Sequence, residues 1–248
     1  MLASNFNYIF CVMSVNNNFN IRRLERLIIL TYNTGAKPVV VLSKVDLVDN
    51  IKEYVDSVKK VLADIDVITT SIKTKQGINR VKEYLVYPNT ILLIGSSGVG
   101  KSSLINEILN KEVLKTGEIR NKDDRGKHTT VTRKMIILDN GGKIIDTPGI
   151  RSFGMINIEK TINDYYKDVV ILAQNCKFKN CTHRSEPGCA IRNELQNGNL
   201  SYERYAHYKI LIAESIKFKK GNKKHNKYDR NNFKKRTKQI INMDDIDE

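Results

Sequence analysis

Gly95-Ser-Ser-Gly-Val-Gly-Lys101-Ser102 is the stretch on which the reading of this chain turns. It fits a glycine, four residues, then Gly-Lys-Ser/Thr. The run before it, Thr90–Ile94 (TILLI), is apolar and strand-like, and the run after it, Lys101–Leu109, has helical spacing. Strand, glycine-rich loop and helix in that order can hold a phosphate chain. The glycines let the backbone curl until its N–H groups face the anion, and the helix N-terminus adds partial positive charge. Gly95, Ser96, Ser97, Gly98, Val99, Gly100, Lys101, Ser102 and Ser103 form the expected cradle. Lys101 would reach the β- and γ-phosphates, and the Ser102 hydroxyl would ligate Mg²⁺. The competing reading is a glycine-rich turn with no ligand.

Outward from this loop, strands and helices alternate. Tyr8–Val15, Pro38–Leu42 (PVVVL), Asp66–Thr70 and Thr90–Ile94 read as strands; Ile21–Tyr32, Ile51–Ile65, Gly77–Leu85 and Lys101–Leu109 read as helices. Lys134–Leu138 and Lys143–Ile145 read as paired strands across Asn140-Gly141-Gly142. Continuous β-branched runs such as PVVVL suit strands buried on both faces, and the alternation implies an α/β fold with a mostly parallel sheet. Between Thr116 and Thr132 the sequence is charged and aperiodic, which predicts a mobile loop.

Two further motifs lie at predicted strand ends. Asp146-Thr147-Pro148-Gly149 follows Lys143–Ile145. Its Asp146 would hold Mg²⁺, and the Gly149 N–H would touch a γ-phosphate. Ser43-Lys44-Val45-Asp46 follows PVVVL. A carboxylate there can accept both hydrogen bonds from the N1–H and N2–H₂ edge of guanine, a donor pair that adenine lacks, while the Lys44 stem lies over the base. Ser43 stands where related motifs have Asn or Thr and can still anchor the loop. Thr70-Ser71-Ile72-Lys73 resembles the element that backs such a base. Together these predict GTP and GDP as ligands and oppose an ATPase.

The order of the motifs is unusual. In ordinary small GTPases the phosphate loop precedes the base motif, whereas here residues 43–46 and 70–73 precede 95–102, and 146–149 come last. The same sheet results if the chain is cut between the metal-motif strand and the strand before the base motif. The expected fold is a circularly permuted P-loop GTPase domain (1–160), a small helical zinc-binding domain (161–216) and a basic-then-acidic tail (217–248).

The zinc expectation rests on Cys176, Cys181, His183 and Cys189, a C-x₄-C-x-H-x₅-C pattern. Three thiolates and one imidazole suit a closed tetrahedral site for one structural Zn²⁺. A buried apolar cysteine cluster is the alternative. Net charge is +15, from 42 basic and 27 acidic residues among 248, which favours a polyanionic partner over compositional bias. The excess concentrates in Lys217–Lys238, with 11 basic residues against Asp229 alone. No apolar run approaches the roughly 18 residues of a membrane span. No export signal is evident, and the expected setting is the cytoplasm, with no membrane partner and a monomeric chain.

The stretches PVVVLSKVDL, IGSSGVGKSSLIN, GKHTTVTRKM, IIDTPGIRSFG and CKFKNCTHRSEPGCAI, spread over residues 38–191, resemble the RsgA family (also called YjeQ or YloQ), circularly permuted GTPases of small ribosomal subunit biogenesis. The resemblance implies GTP hydrolysis stimulated by the small (30S) subunit, action late in its maturation, and contact with its rRNA. It also implies an N-terminal OB-fold barrel. This chain opens at Met1-Leu-Ala-Ser-Asn-Phe-Asn-Tyr, which resembles the linker after that barrel, so the barrel is expected to be absent.

Ile150 follows Gly149, where many GTPases place a Gln that orients the attacking water. Isoleucine offers no hydrogen bond, so slow unaided turnover is expected. His128 is a candidate for orienting the water, an exposed loop histidine being the other reading. Thr129 or Thr130 would complete the Mg²⁺ shell, with Thr130 the assigned candidate.

Overall fold

The computed structural model describes residues 6–16, 19–62, 64–114, 134–146 and 158–217. Packing divides the chain into two units, Met1–Phe153 and Gly154–Glu248.

In the first unit the elements run β1 (Tyr8–Ser14), α1 (Ile21–Tyr32), β2 (Lys37–Ser43), a 3₁₀ turn (Val45–Leu47), α2 (Ile51–Val61), β3 (Asp66–Thr70), α3 (Ile78–Tyr84), β4 (Thr90–Ile94), α4 (Lys101–Leu109), β5 (Lys134–Ile137) and β6 (Lys143–Asp146). They form one six-stranded sheet in the order β3-β2-β1-β4-β6-β5. Every neighbouring pair is parallel except β5 with β6. This is a mostly parallel P-loop GTPase fold, with the strands of the base-side motifs preceding the phosphate strand in the chain.

β1, β2 and β4 are largely apolar because both their faces are covered, whereas β3 (DVITT) is mixed and the edge strand β5 leaves Met135 and Ile137 exposed. On one face Phe10, Val12, Val39, Val41, Leu93 and Ile144 pack with Ile78 and Val81 of α3 and Leu104, Ile105 and Ile108 of α4. Side chains alternate along a strand, so Ile9, Cys11, Met13, Val40 and Leu42 point to the other face; they are buried too, and α1 contacts both β1 and β2. Each such fully buried aliphatic or aromatic side chain contributes roughly 1.5–3 kcal/mol relative to exposure. Cys11 is fully buried against Thr31, and burial pushes its thiol up to about 12, so it behaves as a small core hydrophobe.

Helix α2 ends at Val61, short of the expected Ile65. Leu62 leaves helical conformation while its N–H still bonds the Val58 carbonyl, and Ile65 N–H then turns back onto the Leu62 carbonyl. Val58, Leu62 and Ile65 are all buried. Their spacing matched a helix, although Ile65 reaches the core from the lead-in to β3.

The second unit is helical: α5 (Glu159–Tyr165), α6 (Lys167–Gln174), α7 (Ala190–Gln196) and α8, residues 202–217. Ile158, Ile162, Tyr166, Val169, Ile191, Leu200 and Leu211 are buried in it. Arg204 fastens α8 to the first helix pair. Its Nε and Nη2 donate to the two oxygens of Asp168 at 2.7 and 2.8 Å, Nη2 also reaches the Tyr165 carbonyl, and the guanidinium lies 4.7 Å from the Tyr166 ring centroid. Among the described residues no helix is long and apolar enough to cross a membrane. The expected loop 116–132 and the tail from residue 218 onward lie outside the described residues.

Candidate nucleotide and metal sites

In the sheet of the first unit the strands run outward from its centre, β1-β2-β3 one way and β4-β6-β5 the other. The seam between β1 and β4 is a topological switch point, where the loops at the carboxyl ends of neighbouring strands diverge and leave a crevice. The described motifs all stand at that edge: Ser43–Asp46 at the end of β2, Ser71 after β3, Gly95–Ser102 after β4, and Asp146 as the last residue of β6.

The phosphate loop is packed against β1. A side chain at Gly95 would place its Cβ 2.4 Å from the Val12 carbonyl oxygen, and the residue has φ +154°, so only glycine fits. Val99 is buried, while Ser97 and Gly98 are exposed at the mouth. Gly100, left-handed at φ 94°, starts α4. Lys101 folds over the loop and donates from Nζ to the carbonyls of Gly95 and Ser96, both at 2.9 Å. Burial lowers its pKa, and the Asp146 carboxylate opposes that shift, so the two opposite charges of the expected phosphate and metal motifs feel each other. Ser102 and Ser103 are half-buried on the first turn of α4. A hydroxyl and a carboxylate are hard oxygen donors, the chemistry that Mg²⁺ takes.

The base-side turn is bolted to this loop. Ser43 Oγ donates to the Val99 carbonyl at 2.6 Å, and Lys44 Nζ donates to the Gly98 carbonyl at 2.8 Å. Lys44 adopts the left-handed conformation (φ 62°), which turns the chain sharply so that Val45 is buried and Asp46 stands exposed. Ser71 Oγ donates to Asp46 Oδ1 at 2.6 Å and in turn accepts from the Thr74 N–H. That hydroxyl, followed by the Asp46 backbone and Lys73 and Lys44, outweighs desolvation and holds the Asp46 carboxyl below the usual range. At neutral pH Asp46 is therefore an acceptor only. Arg23, on the first turn of α1, also reaches the loop, donating from Nη1 to Ser96 Oγ at 3.2 Å. Sequence reading passed over Arg23; the available signal was a helix start with two arginines and no acid. His128, Thr130 and Gly149 lie outside the described residues.

In the second unit Cys176, Cys181, His183 and Cys189 bring their ligand atoms within 4.8 Å of one another. Cys176 Sγ lies 3.5 Å from His183 Nδ1 and 4.0 Å from Cys189 Sγ, and His183 Nδ1 lies 3.4 Å from Cys189 Sγ. Zn–S bonds of about 2.3 Å and Zn–N bonds of about 2.0 Å in a tetrahedron put neighbouring ligand atoms roughly 3.5–3.8 Å apart. The cluster could hold a zinc ion. The thiols differ in their surroundings: burial, with Cys189 and Cys176 beside it, pushes the Cys181 thiol up to about 11. Burial pushes the Cys176 thiol up, but the N–H groups of Ile191 and Ala190 and the neighbouring thiols outweigh it and leave its pKa low. Cys189 caps α7, accepting from the Arg192 N–H.

Two devices shape the loops. The Lys177 N–H bonds the Gly188 carbonyl, and Gly188 is left-handed at φ 73° with a Cβ position already 3.0 Å from Lys177 Cβ. Glu186, which sequence reading also passed over, accepts from the Thr182 N–H and hydroxyl and from the N–H groups of Arg184 and Ser185. Those donors hold its carboxyl far below the usual range and fix the loop carrying His183.

The family profile described as RsgA GTPase matches residues 1–156, and that described as 50S ribosome-binding GTPase matches residues 90–242. The chain is 42% identical over 214 residues to the small ribosomal subunit biogenesis GTPase RsgA of Methanosarcina acetivorans, covering 86% of this chain and 58% of that protein. It is 41% identical over 214 residues to small ribosomal subunit biogenesis GTPase RsgA 2 of Lactiplantibacillus plantarum, covering 86% and 60%. The chain thus spans about three fifths of the length of these relatives. Among solved structures, YjeQ from Thermotoga maritima superposes with a TM-score of 0.61 at 27% identity, over 86% of this chain and 72% of that one. YloQ, described as a circularly permuted GTPase, superposes at 0.59 with 24% identity, over 86% and 69%, and supports the fold. On the match through residue 156 and these identities, the chain belongs to the RsgA GTPase family.

Proposed function

We propose that this protein binds GTP with Mg²⁺ and hydrolyses it to GDP and phosphate, and that it acts in late maturation of the small ribosomal subunit, which stimulates the reaction. The observation that carries this reading is the joining of the Asp46 turn to the phosphate loop through Ser43–Val99 and Lys44–Gly98. One rigid edge thereby offers an acceptor for guanine and a cradle for its phosphates. The Asp46 carboxylate selects the base, with Ser71 fixing its orientation. Lys101 releases the loop carbonyls and turns its ammonium to the β- and γ-phosphates. Ser102 and Asp146 would hold Mg²⁺, which would offset charge on the phosphates. Gly149, Thr130 and His128 are assigned, respectively, to the γ-phosphate, the metal shell and the attacking water. Cys176, Cys181, His183 and Cys189 hold one structural Zn²⁺.

The partners in this reading are GTP or GDP and the small subunit with its rRNA, the chain acting as a cytoplasmic monomer. Curated relatives carry the small subunit in their names, and the basic run Lys217–Lys238 suits rRNA phosphates. A second reading is a GTP-dependent rRNA-binding switch with negligible hydrolysis. Ile150 favours it, since no side-chain hydrogen bond can orient water from that position.

GTP turnover of the chain, measured with and without purified small subunits, separates the two. Stimulated turnover that Lys101→Ala and Ser102→Ala each abolish supports the GTPase reading. Nucleotide-dependent subunit binding without turnover supports the switch. Subunit affinity that is equal with GDP and with a non-hydrolysable GTP analogue refutes the switch. Affinity unchanged on ending the chain at Ile216 refutes a role for the basic run.

A further inference from the structure

Three cations reach the phosphate loop: Lys44 at the Gly98 carbonyl and two more, Lys101 and Arg23, at Ser96. Lys101 reaches Ser96 through its carbonyl from inside the loop, at 2.9 Å, and Arg23 reaches the same residue through Oγ from outside, at 3.2 Å. The position of Arg23 is built. Asn20 caps α1 by accepting from the Arg23 N–H at 2.9 Å, which fixes residue 23 as the third residue of the helix. Helix α1 follows β1, the strand that pairs directly with β4, so its first turn lies beside the loop that β4 feeds. The guanidinium is exposed, and among the described residues no carboxylate forms an ion pair with it.

Its placement also runs against helix electrostatics. The first turn of α1 holds Arg22 and Arg23 and no acid. Cations at a helix N-terminus are unfavourable, where anions would be favoured. An anion arriving at the loop reverses that sign. Ile150, meanwhile, leaves the hydrolytic machinery without the polar side chain that many GTPases use after their Asp-x-x-Gly motif.

We infer that Arg23 is a catalytic residue whose guanidinium leaves Ser96 and contacts the γ-phosphate of bound GTP, supplied by the chain's own α1. The inference rests on the GTPase reading above. During hydrolysis the water oxygen bonds to the γ-phosphorus while the bond from that phosphorus to the β–γ bridging oxygen breaks. The bridging oxygen leaves with the electron pair as part of GDP, and the water proton passes to the released phosphate. Negative charge gathers on the bridging and γ-oxygens at the transition state, where a fixed guanidinium stabilises it most.

The test is single-turnover GTP hydrolysis and GDP binding by the full chain, with small subunits present, for the unmodified protein, Arg23→Ala, Arg23→Lys and Arg22→Ala. The expected result is a loss on the order of 10³-fold in rate for Arg23→Ala, with GDP affinity unchanged, a smaller loss for Arg23→Lys, and none for Arg22→Ala. Added guanidinium ion should recover part of the Arg23→Ala rate. GDP with aluminium fluoride, which imitates the transferring phosphoryl group, should bind the unmodified chain and not Arg23→Ala, a readout that does not depend on turnover. An Arg23→Ala chain that hydrolyses GTP and binds the fluoride complex normally overturns the inference and leaves the GTPase reading standing. Equal losses in Arg22→Ala reduce the effect to general charge, and a matching loss of GDP affinity reduces it to loop structure; either overturns it. A chain that binds no GTP at all overturns the GTPase reading itself.

Discussion

The hydroxyl of Ser43 donates to the backbone carbonyl of Val99 at 2.6 Å, across 56 positions of sequence. Ser43 is buried, and so is Val99. This bond ties the end of β2 to the phosphate loop, at a position where a longer amide side chain is the commoner choice. Ser43→Ala removes the donor and leaves a buried carbonyl unpaired, a cost of about 1–3 kcal/mol. Urea unfolding should show that loss, and GDP affinity should fall by roughly tenfold or more as the loop loses its tether. Ser43→Thr keeps the hydroxyl and should retain most of both.

Asp46 and Ser71 should behave as one unit. Asp46→Asn exchanges an acceptor for a donor at the position proposed to face the base, so preference should move from guanine to xanthine nucleotides. Ser71→Ala leaves the carboxylate in place without its 2.6 Å hydrogen bond, and should weaken GTP and GDP alike without changing the base preferred. Competition binding with GTP, XTP and ATP checks both; tight ATP binding by the unmodified chain would remove Asp46 as the selector.

Metal content should be one zinc per chain, read by elemental analysis of protein purified without chelator. Cys176→Ser, or prolonged chelation, should expose the helical unit, because the cluster joins the loop after α6 to the start of α7 and metal binding is folding energy in so small a unit. Hydrogen exchange should quicken across residues 158–217 while β1–β4 stay protected. Protein with no zinc and a freely reactive Cys176 would show that the cluster does not hold the metal.

Asp168 and Arg204 predict a pH dependence. The Arg204 hydrogen bonds hold the Asp168 carboxyl below its ordinary value of 3.8. A carboxyl depressed by folding adds stability that is fully present above its unfolded pKa and disappears as pH falls through the folded one. Near neutrality, then, Asp168→Asn should unfold at a lower temperature than the unmodified chain, and the gap should close as pH drops below about 4. Asp168 is partly exposed, so the gap should be modest and shrink in salt. A gap independent of pH would show that the ion pair is not its source.

The centre of the sheet was legible because β1, β2 and β4 are buried on both faces and favour apolar residues: PVVVL and TILLI admit few other readings. The motifs stood out for a related reason, since backbone curvature and phosphate contact restrict residue type at each position. What escaped was long-range or set by local backbone. Nothing in the spacing of Asn20 and Arg23 shows that residue 23 meets residue 96, because that contact depends on β1 lying beside β4. The knot that Glu186 ties around Thr182, Arg184 and Ser185 requires a loop conformation in which His183 takes a positive φ of 59°, which side-chain chemistry alone does not announce. The end of α2 was misplaced because Ile65 serves the core at the spacing a helix would have used.

The seam between β1 and β4 joins segments 83 positions apart, as the Asn7–Thr90 bond at its lower end records. During synthesis, at roughly 5–20 residues per second, the half that carries the Asp46 turn is complete some seconds before the half that carries the Gly95–Ser102 loop. Until β4 pairs with β1, the nascent chain owns a specificity turn with nothing to bolt it to. A guanine nucleotide seated across the seam would then act as a cross-link between the early and late halves of the chain. Starving cells of GTP should therefore slow this protein's own acquisition of protease resistance as well as its work.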